Sequence, residues 1–288
     1  MLIEKNAHLD AAFALLGNKT QAQSLLRSLE SRPKNSFQFI TQTTENPSCA
    51  VLLLTNPGST TTFLTTSPTN TRDMATCTTL IKEGVRWLSE TPIHLAQTVM
   101  PQGEPYLKQA FEEASFEHLA VLTCMEQTKK PKQRKIPNNL RFIQITSKDD
   151  KRLGDLLLET YIDSLDCPKI HGLRPINEII AGHRGYHEQE TQVWTIAELE
   201  GIPTGVVLLN PTHSPSCLEL AYIGILKSAR GSGLGHHLMQ HVANQATSAG
   251  ASRITLAVDS KNTPAIKLYN KWHFKKTKYL CTMIHKLS

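Results

Sequence analysis

Along the second half of the chain the spacing of apolar positions changes several times, and each change marks an element. Leu140 to Ile145 alternates as a strand, and Lys148 to Leu165 carries a helical stripe at Leu153, Leu156, Leu157, Tyr161 and Leu165. Pro175 to Ala181 predicts a short second helix. Val193 to Leu199 and Thr204 to Leu209 read as strands, and Glu200-Gly201-Ile202-Pro203 between them is a hairpin signal. After a polar loop, Leu218 to Leu226 is a strongly apolar strand. Helical spacing resumes at His236 and runs through Leu238, Met239, Val242, Ala243 and Ala246, with Gly250 as its stop. Ile254, Leu256 and Val258 alternate within a strand from Arg253 to Val258, and Thr263 before Pro264 predicts an N-cap and the first turn of another helix.

The first half follows a parallel order. Helical segments lie at Leu9 to Leu16 and Gln21 to Leu29, followed by strands at Phe37 to Thr43, Ala50 to Leu54 and Thr61 to Thr65. A helix then presents Met74, Cys77, Ile81, Val85 and Leu88 on one face. Ile93 to Val99 reads as a strand, Glu104 to Phe116 as a helix and Leu119 to Met125 as a final strand.

Length and charge divide this pattern. The 288 residues exceed what one domain of about 100–200 residues usually takes, so two are expected. The net charge of +6 is densest at Lys129-Lys130-Pro131-Lys132-Gln133-Arg134-Lys135, a proline-interrupted run without aromatic residues for base stacking. That composition predicts a solvated linker at 129–137 between domains at 1–128 and 138–288, and argues against nucleic acid as a partner. The six cysteines form no Cys-x-x-Cys pair and read as reduced thiols, which fits a cytoplasmic protein. Charges at Glu4, Lys5 and Asp10 interrupt any signal-peptide core, and no apolar run approaches the ~18 residues of a membrane span. His183 and His187 stand at i, i+4 without a third ligand, so no metal is expected.

The chemistry concentrates at Arg230-Gly231-Ser232-Gly233-Leu234-Gly235, between the apolar strand and the helix. Glycines feeding a helix N-terminus let backbone N–H groups converge beside the positive helix end, which suits phosphate. The neighbours exclude a Walker loop, because Gly235 is followed by His236 and His237. Downstream stands Asn262-Thr263-Pro264-Ala265 with Leu268-Tyr269, then Trp272-His273-Phe274. Together these motifs resemble the GNAT N-acetyltransferase superfamily, with His273 where a glycine is usual and Lys227 where a proline is common. The element order of 138–288 is similar to one complete GNAT domain: a strand, two helices, three strands, a helix, a strand, a helix and two strands. Residues 1–128 resemble a degenerate GNAT-like copy, giving a tandem-GNAT chain of α/β class with mixed sheets. Ser67-Pro68-Thr69-Asn70-Thr71-Arg72-Asp73 replaces the phosphate loop there, so the first half is not expected to bind coenzyme A.

The resemblance implies an acyl-CoA-dependent N-acyltransferase moving acetyl from acetyl-CoA, or another acyl group, to a primary amine of a small molecule or protein. A non-catalytic acyl-CoA sensor or scaffold is the alternative. It implies that N–H groups from Gly231 through Ser232, Gly233, Leu234 and Gly235 to His236 hold the diphosphate, with Arg230 adding donors. Backbone groups of Ile223 and Ile225 would pair with the pantetheine arm, and Asn262 would contact that arm or form the turn before the helix. Glu219 is the implied base, acting through water, or else a solvent-facing strand residue. Tyr269 is the implied acid for the leaving sulfur, or else a core aromatic. Tyr222 and the stretch of His183, Arg184, His187 and Glu188 are weaker acceptor-site candidates. The first half is expected to form one wall of the acceptor groove or a homodimer contact.

Overall fold

The computed structural model describes residues 1–4, 7–128, 135–187 and 191–287. Most of the basic run, 129–134, and Glu188 lie outside the described residues. The chain forms two compact units, Met1–Leu119 with Cys281–Ser288 and Ala120–Leu280.

The first unit opens with α1 (His8–Leu16) and α2 (Lys19–Glu30). Strands β1 (Phe37–Thr41), β2 (Ala50–Asn56) and β3 (Thr60–Thr65) follow as antiparallel neighbours. Helix α3 (Thr71–Leu88) then leads to β4 (Leu95–Pro101), which returns parallel to β3, and α4 (Pro105–Glu113) follows. A cluster of Phe63, Phe111 and Phe116 fills the core beside the parallel pair, with Phe63 edge-on to Phe111 at 6.3 Å and to Phe116 at 5.3 Å. The start of α3 is closed by its own side chains. Asn70 accepts from the Asp73 N–H at 3.0 Å, and the Asp73 carboxylate accepts from the Thr69 hydroxyl at 2.9 Å and the Asn70 amide at 2.8 Å. A carboxylate already occupies that helix N-terminus, where a second anion would be repelled.

The second unit's sheet has the order β5-β10-β9-β8-β7-β6. Its strands are β5 (Glu117–Gln127), β6 (Leu140–Gln144), β7 (Val193–Leu199), β8 (Ile202–Pro211), β9 (Cys217–Ile225) and β10 (Arg253–Asp259). Helices α5 (Asp150–Tyr161) and α6 (Ile176–Arg184) cover one face, with Leu153 and Leu157 of α5 packed in one cluster with Trp194, Val206 and Leu208 of the sheet. Helices α7 (Leu234–Ser248) and α8 (Thr263–Lys271) cover the other, over Val207, Leu209, Leu220 and Leu256. The β7–β8 turn places Glu200 at φ 53° and Gly201 at φ 83°, the pair of positive angles that a tight hairpin needs.

Five expectations are corrected. After α8 there is one strand, β11 (Lys275–Lys286), rather than two, and the place beside β10 is taken by Leu122–Gln127 of β5, antiparallel to it. Each unit therefore takes a strand from the other's half of the sequence, and the division falls inside β5 and β11 rather than at 129–137. Helix α5 ends at Tyr161 instead of Leu165, because Ile162 leaves the helical region at ψ 120° and Asp163 turns to φ 52°. Helix α7 begins at Leu234, two residues before His236, with Gly233 as its cap at φ 88°. Asn262, not Thr263, caps α8: its side chain accepts from the Ala265 N–H at 3.3 Å.

Candidate active site

Strands β9 and β10 run parallel but pair only over Cys217–Glu219 with Arg253–Thr255. Beyond that, β9 stays with β8 as far as Ile225 and β10 stays with β5 as far as Asp259, so the two part. A cavity of about 740 Å³ opens between them. A register shift between Leu208↔Tyr222 and Leu209↔Leu220 leaves Ala221 as an extra residue on β9. The bulge resets the alternation of faces. Leu220, Ile223 and Ile225 pack toward α7 and α8, while Ala221 and Tyr222 pack toward α5 and α6.

At one end of the cavity lies the glycine loop. Gly231 and Gly233 adopt φ 79° and 88°, angles that L side chains resist, and no atom stands within 4 Å of where their Cβ atoms would be. The space above the loop is therefore open, at the positive end of α7, where negative charge is favoured. Gly235 has a different reason: a Cβ there would meet Leu268 Cδ2 at 3.1 Å and Ile225 Cδ1 at 3.5 Å. Two of the expected backbone donors are already used, since the His236 N–H donates to Gly233 O at 2.9 Å and the Leu234 N–H reaches Ser232 Oγ at 3.4 Å.

Arg230 points away from the loop's open side. Its guanidinium donates to three carbonyls, Ile225 O at 3.1 Å, Asp163 O at 3.0 Å and Thr160 O at 2.9 Å. The side chain thus ties the loop to the C-terminal end of α5, where a cation is favoured. Lys227 pairs with Asp163 at 2.6 Å on the same side.

Tyr269 of α8 also lines the cavity and is only 5% exposed. Burial, with the nearby Asp166 charge, raises its hydroxyl above the ordinary tyrosine range, so the proton is retained at neutral pH. Tyr222 shares a 2.9 Å hydrogen bond with Thr160 Oγ1 and stands edge-on to Tyr161, 5.7 Å between centroids. Tyr161 stacks on His171 at 4.7 Å, and burial pushes its hydroxyl up to about 12. His183 lies 5.6 Å from the Tyr222 ring, and burial, with Arg174 nearby, pulls it down to about 4. Arg184 is held by the Asp150 carboxylate and lies 5.3 Å from the Trp194 ring, so it supports α6 rather than the cavity.

Of the expected site residues, Ile223, Ile225, Arg230, Gly231, Gly233, Gly235, His236, Asn262 and Tyr269 line the cavity. Ser232, Leu234 and Glu219 do not line it. Leu234 is a buried anchor of the helix start, and the Ser232 hydroxyl donates to Ala229 O at 2.8 Å. Glu219 is exposed and sits where β9 still pairs with both neighbours, opposite Asn210 and Thr255. His236 accepts the Trp272 indole N–H on Nδ1 at 3.0 Å, which links α7 to the end of α8.

The sequence reading missed the loop after α5, which supplies Asp163, Ser164, Leu165 and Asp166 to the cavity lining. Asp166 Oδ1 accepts from the Asp259 N–H at 3.0 Å, and the Cys167 N–H donates back to Asp259 Oδ2 at 3.3 Å. The loop is thereby fastened to the end of β10. Burial raises the Asp166 carboxyl above the usual carboxylate range. Its only sequence signal was a polar break, Asp163-Ser164, inside an otherwise helical pattern.

Residues 155–274, within the second unit, match the sequence model of the Acetyltransferase (GNAT) family. Across the chain, the fold is similar to that of a GCN5-related N-acetyltransferase from Sphaerobacter thermophilus, with a TM-score of 0.64, 14% identity and coverage of 97% of this chain and 90% of that one. It is also similar to a tandem GNAT protein from the clavulanic acid biosynthesis pathway, with a TM-score of 0.58, 10% identity and coverage of 100% and 98%. A curated relative, the mycothiol acetyltransferase of Corynebacterium glutamicum (strain R), is 36% identical over 62 residues, 22% of this chain. That alignment spans 21% of the relative's length. Among the described residues no helix is long and apolar enough to cross a membrane.

Proposed function

We propose that the protein transfers acetyl from acetyl-CoA to a primary amine, with the chemistry confined to the second unit. The observation that carries this reading is the parting of β9 from β10 over an open positive-φ glycine loop, with Tyr269 lining the same cavity. The loop N–H groups would hold the diphosphate, and the β9 edge at Ile223 and Ile225 would pair with the amides of the pantetheine arm. A β9 N–H donor at the thioester carbonyl is worth about 10²–10³ in rate. Tyr269 would protonate the departing sulfur. Glu219, outside the cavity lining, would act as base only through water.

The first unit is proposed as non-catalytic, because Asp73, Thr69 and Asn70 close the helix start that would otherwise face a phosphate. All six cysteines are free thiols, which supports a reducing, cytoplasmic setting. The test pairs calorimetry with acetyl-CoA and thiol release over a panel of primary amines. Binding with release, lowered about 10²-fold or more by Tyr269→Phe, supports the reading. Binding with no release for any amine leaves a sensor, and no binding refutes the proposal.

A further inference from the structure

A carboxylate taken out of water needs a cation or a proton to offset the lost hydration. Asp166 is partly buried in the cavity wall, and among the described residues no lysine or arginine pairs with it. Its neighbour Asp259 is in a different state. Both Asp259 oxygens accept backbone donors, Oδ2 from the Cys167 N–H at 3.3 Å and Oδ1 from the Lys261 N–H at 2.9 Å, so that carboxylate is structural. Asp166 accepts one backbone donor, the Asp259 N–H, and has the Asn262 side chain in hydrogen-bonding range. The titratable groups near it are His171 and Cys167 on its own loop, Asp259 at the end of β10, Tyr161 of α5, Tyr222 of β9 and Tyr269 of α8. Of these only His171 can carry a positive charge, and burial lowers its proton affinity.

The same cavity is lined by Tyr269, whose side chain is packed into the wall at 5% exposure and whose hydroxyl makes no hydrogen bond to a described residue. A carboxylate without an ion pair and a tyrosine hydroxyl therefore line one space, to which Arg230, Lys267 and Lys271 also contribute. A protonated amine is a partner for the carboxylate, and a departing thiolate is a partner for the hydroxyl.

We propose that Asp166 is the catalytic carboxylate that receives the acceptor's ammonium group and takes its proton, which makes the acceptor class a primary alkylammonium. This rests on reading the cavity as an acetyl-CoA site. The ammonium gives one proton to Asp166, and the freed nitrogen pair attacks the acetyl carbonyl carbon to form the C–N bond. The C–S bond then breaks, and the thiolate takes the Tyr269 proton. The excess N–H proton of the new amide restores Tyr269, and Asp166 releases its proton to water. Amine cation and thioester thus yield amide, thiol and one proton.

The experiment measures thiol release from acetyl-CoA against pH, in amine-free buffer and with a panel of primary alkylamines, for the full chain and for Asp166→Asn. Asparagine keeps an oxygen for the Asp259 N–H. The parent is expected to show a rate that rises with pH along a limb above the usual carboxylate range. Asp166→Asn is expected to lose that limb and about 10²–10⁴-fold in rate while its acetyl-CoA Kd stays within about threefold. If Asp166→Asn melts well below the parent, Asp166→Ala assayed with added formate replaces it, and recovery of thiol release is expected. Equal release by parent and variants, including none from either, overturns the proposal, as does loss of the limb in Glu219→Gln but not in Asp166→Asn. Loss of acetyl-CoA binding in Asp166→Asn alone also overturns it. If the parent itself fails to bind acetyl-CoA, the acetyltransferase reading has failed instead.

Discussion

Replacing Arg230 by alanine tests whether this motif residue is a tie between elements rather than a phosphate ligand. The guanidinium makes two partly buried bonds, to Ile225 O at 3.1 Å and Thr160 O at 2.9 Å, and one exposed bond to Asp163 O at 3.0 Å. A charged hydrogen bond contributes about 1.5–3 kcal/mol when shielded, and an exposed one contributes little. Two shielded bonds at the lower value give about 3 kcal/mol, which for a unit of this size lowers the melting temperature by roughly 6–12 °C. Release of the loop from α5 should also raise the acetyl-CoA Kd by at least about tenfold, or ~1.4 kcal/mol, because binding must then order the glycines. Differential scanning calorimetry and isothermal titration read both effects. Lysine cannot reach three carbonyls at once, so Arg230→Lys should recover less than half of the loss. A variant that melts with the parent yet loses binding would refute the tie and restore Arg230 to the phosphates.

Further outcomes follow from local geometry. A Cβ on Gly224 would stand 2.7 Å from Tyr222 Cε1 and 2.8 Å from Thr160 Oγ1, so Gly224→Ala should break the Tyr222–Thr160 bond and cost about 1–3 kcal/mol in denaturant unfolding. His241 is buried against Phe142 at 3.8 Å and against Thr195 Oγ1 at 3.2 Å, and burial pulls it from 6.5 to about 4. Because the folded pKa is depressed, the unfolded chain binds the extra proton between pH 6.5 and 4, so stability is full above pH 6.5 and falls as pH drops through that window. His241→Gln should flatten that slope, by about 3 kcal/mol at most in urea midpoints compared across pH, with no difference in slope counting against the assignment.

Features set by neighbours in the chain were legible from sequence. Gly231 and Gly233 stand where a turn into a helix demands positive φ, so the loop could be read before any fold was known, whereas Tyr269 was singled out only through the family resemblance of its motif. What escaped was set by distant pairing. Nothing in Glu117–Gln127 distinguishes a strand that closes its own half from one that pairs with Arg253–Asp259, because both require the same alternating apolar pattern. The early end of α5 depends on Asp166 and Cys167 bonding to Asp259, more than ninety residues away in the chain. The place of Glu219 depends on where β9 and β10 stop pairing, which no periodicity encodes. Arg230 carried the right motif letter, yet its role is set by carbonyls of another helix.

The central claim is that the second unit alone grips acetyl-CoA through the backbone of its glycine loop. Isothermal titration of acetyl-CoA into the full chain and into Gly233→Val measures this directly, since valine at φ 88° is strained and its side chain enters the space left for phosphate. The account predicts one binding site per chain in the parent and loss of binding in the variant. No heat in the parent, two sites per chain, or an unchanged affinity in Gly233→Val would contradict it.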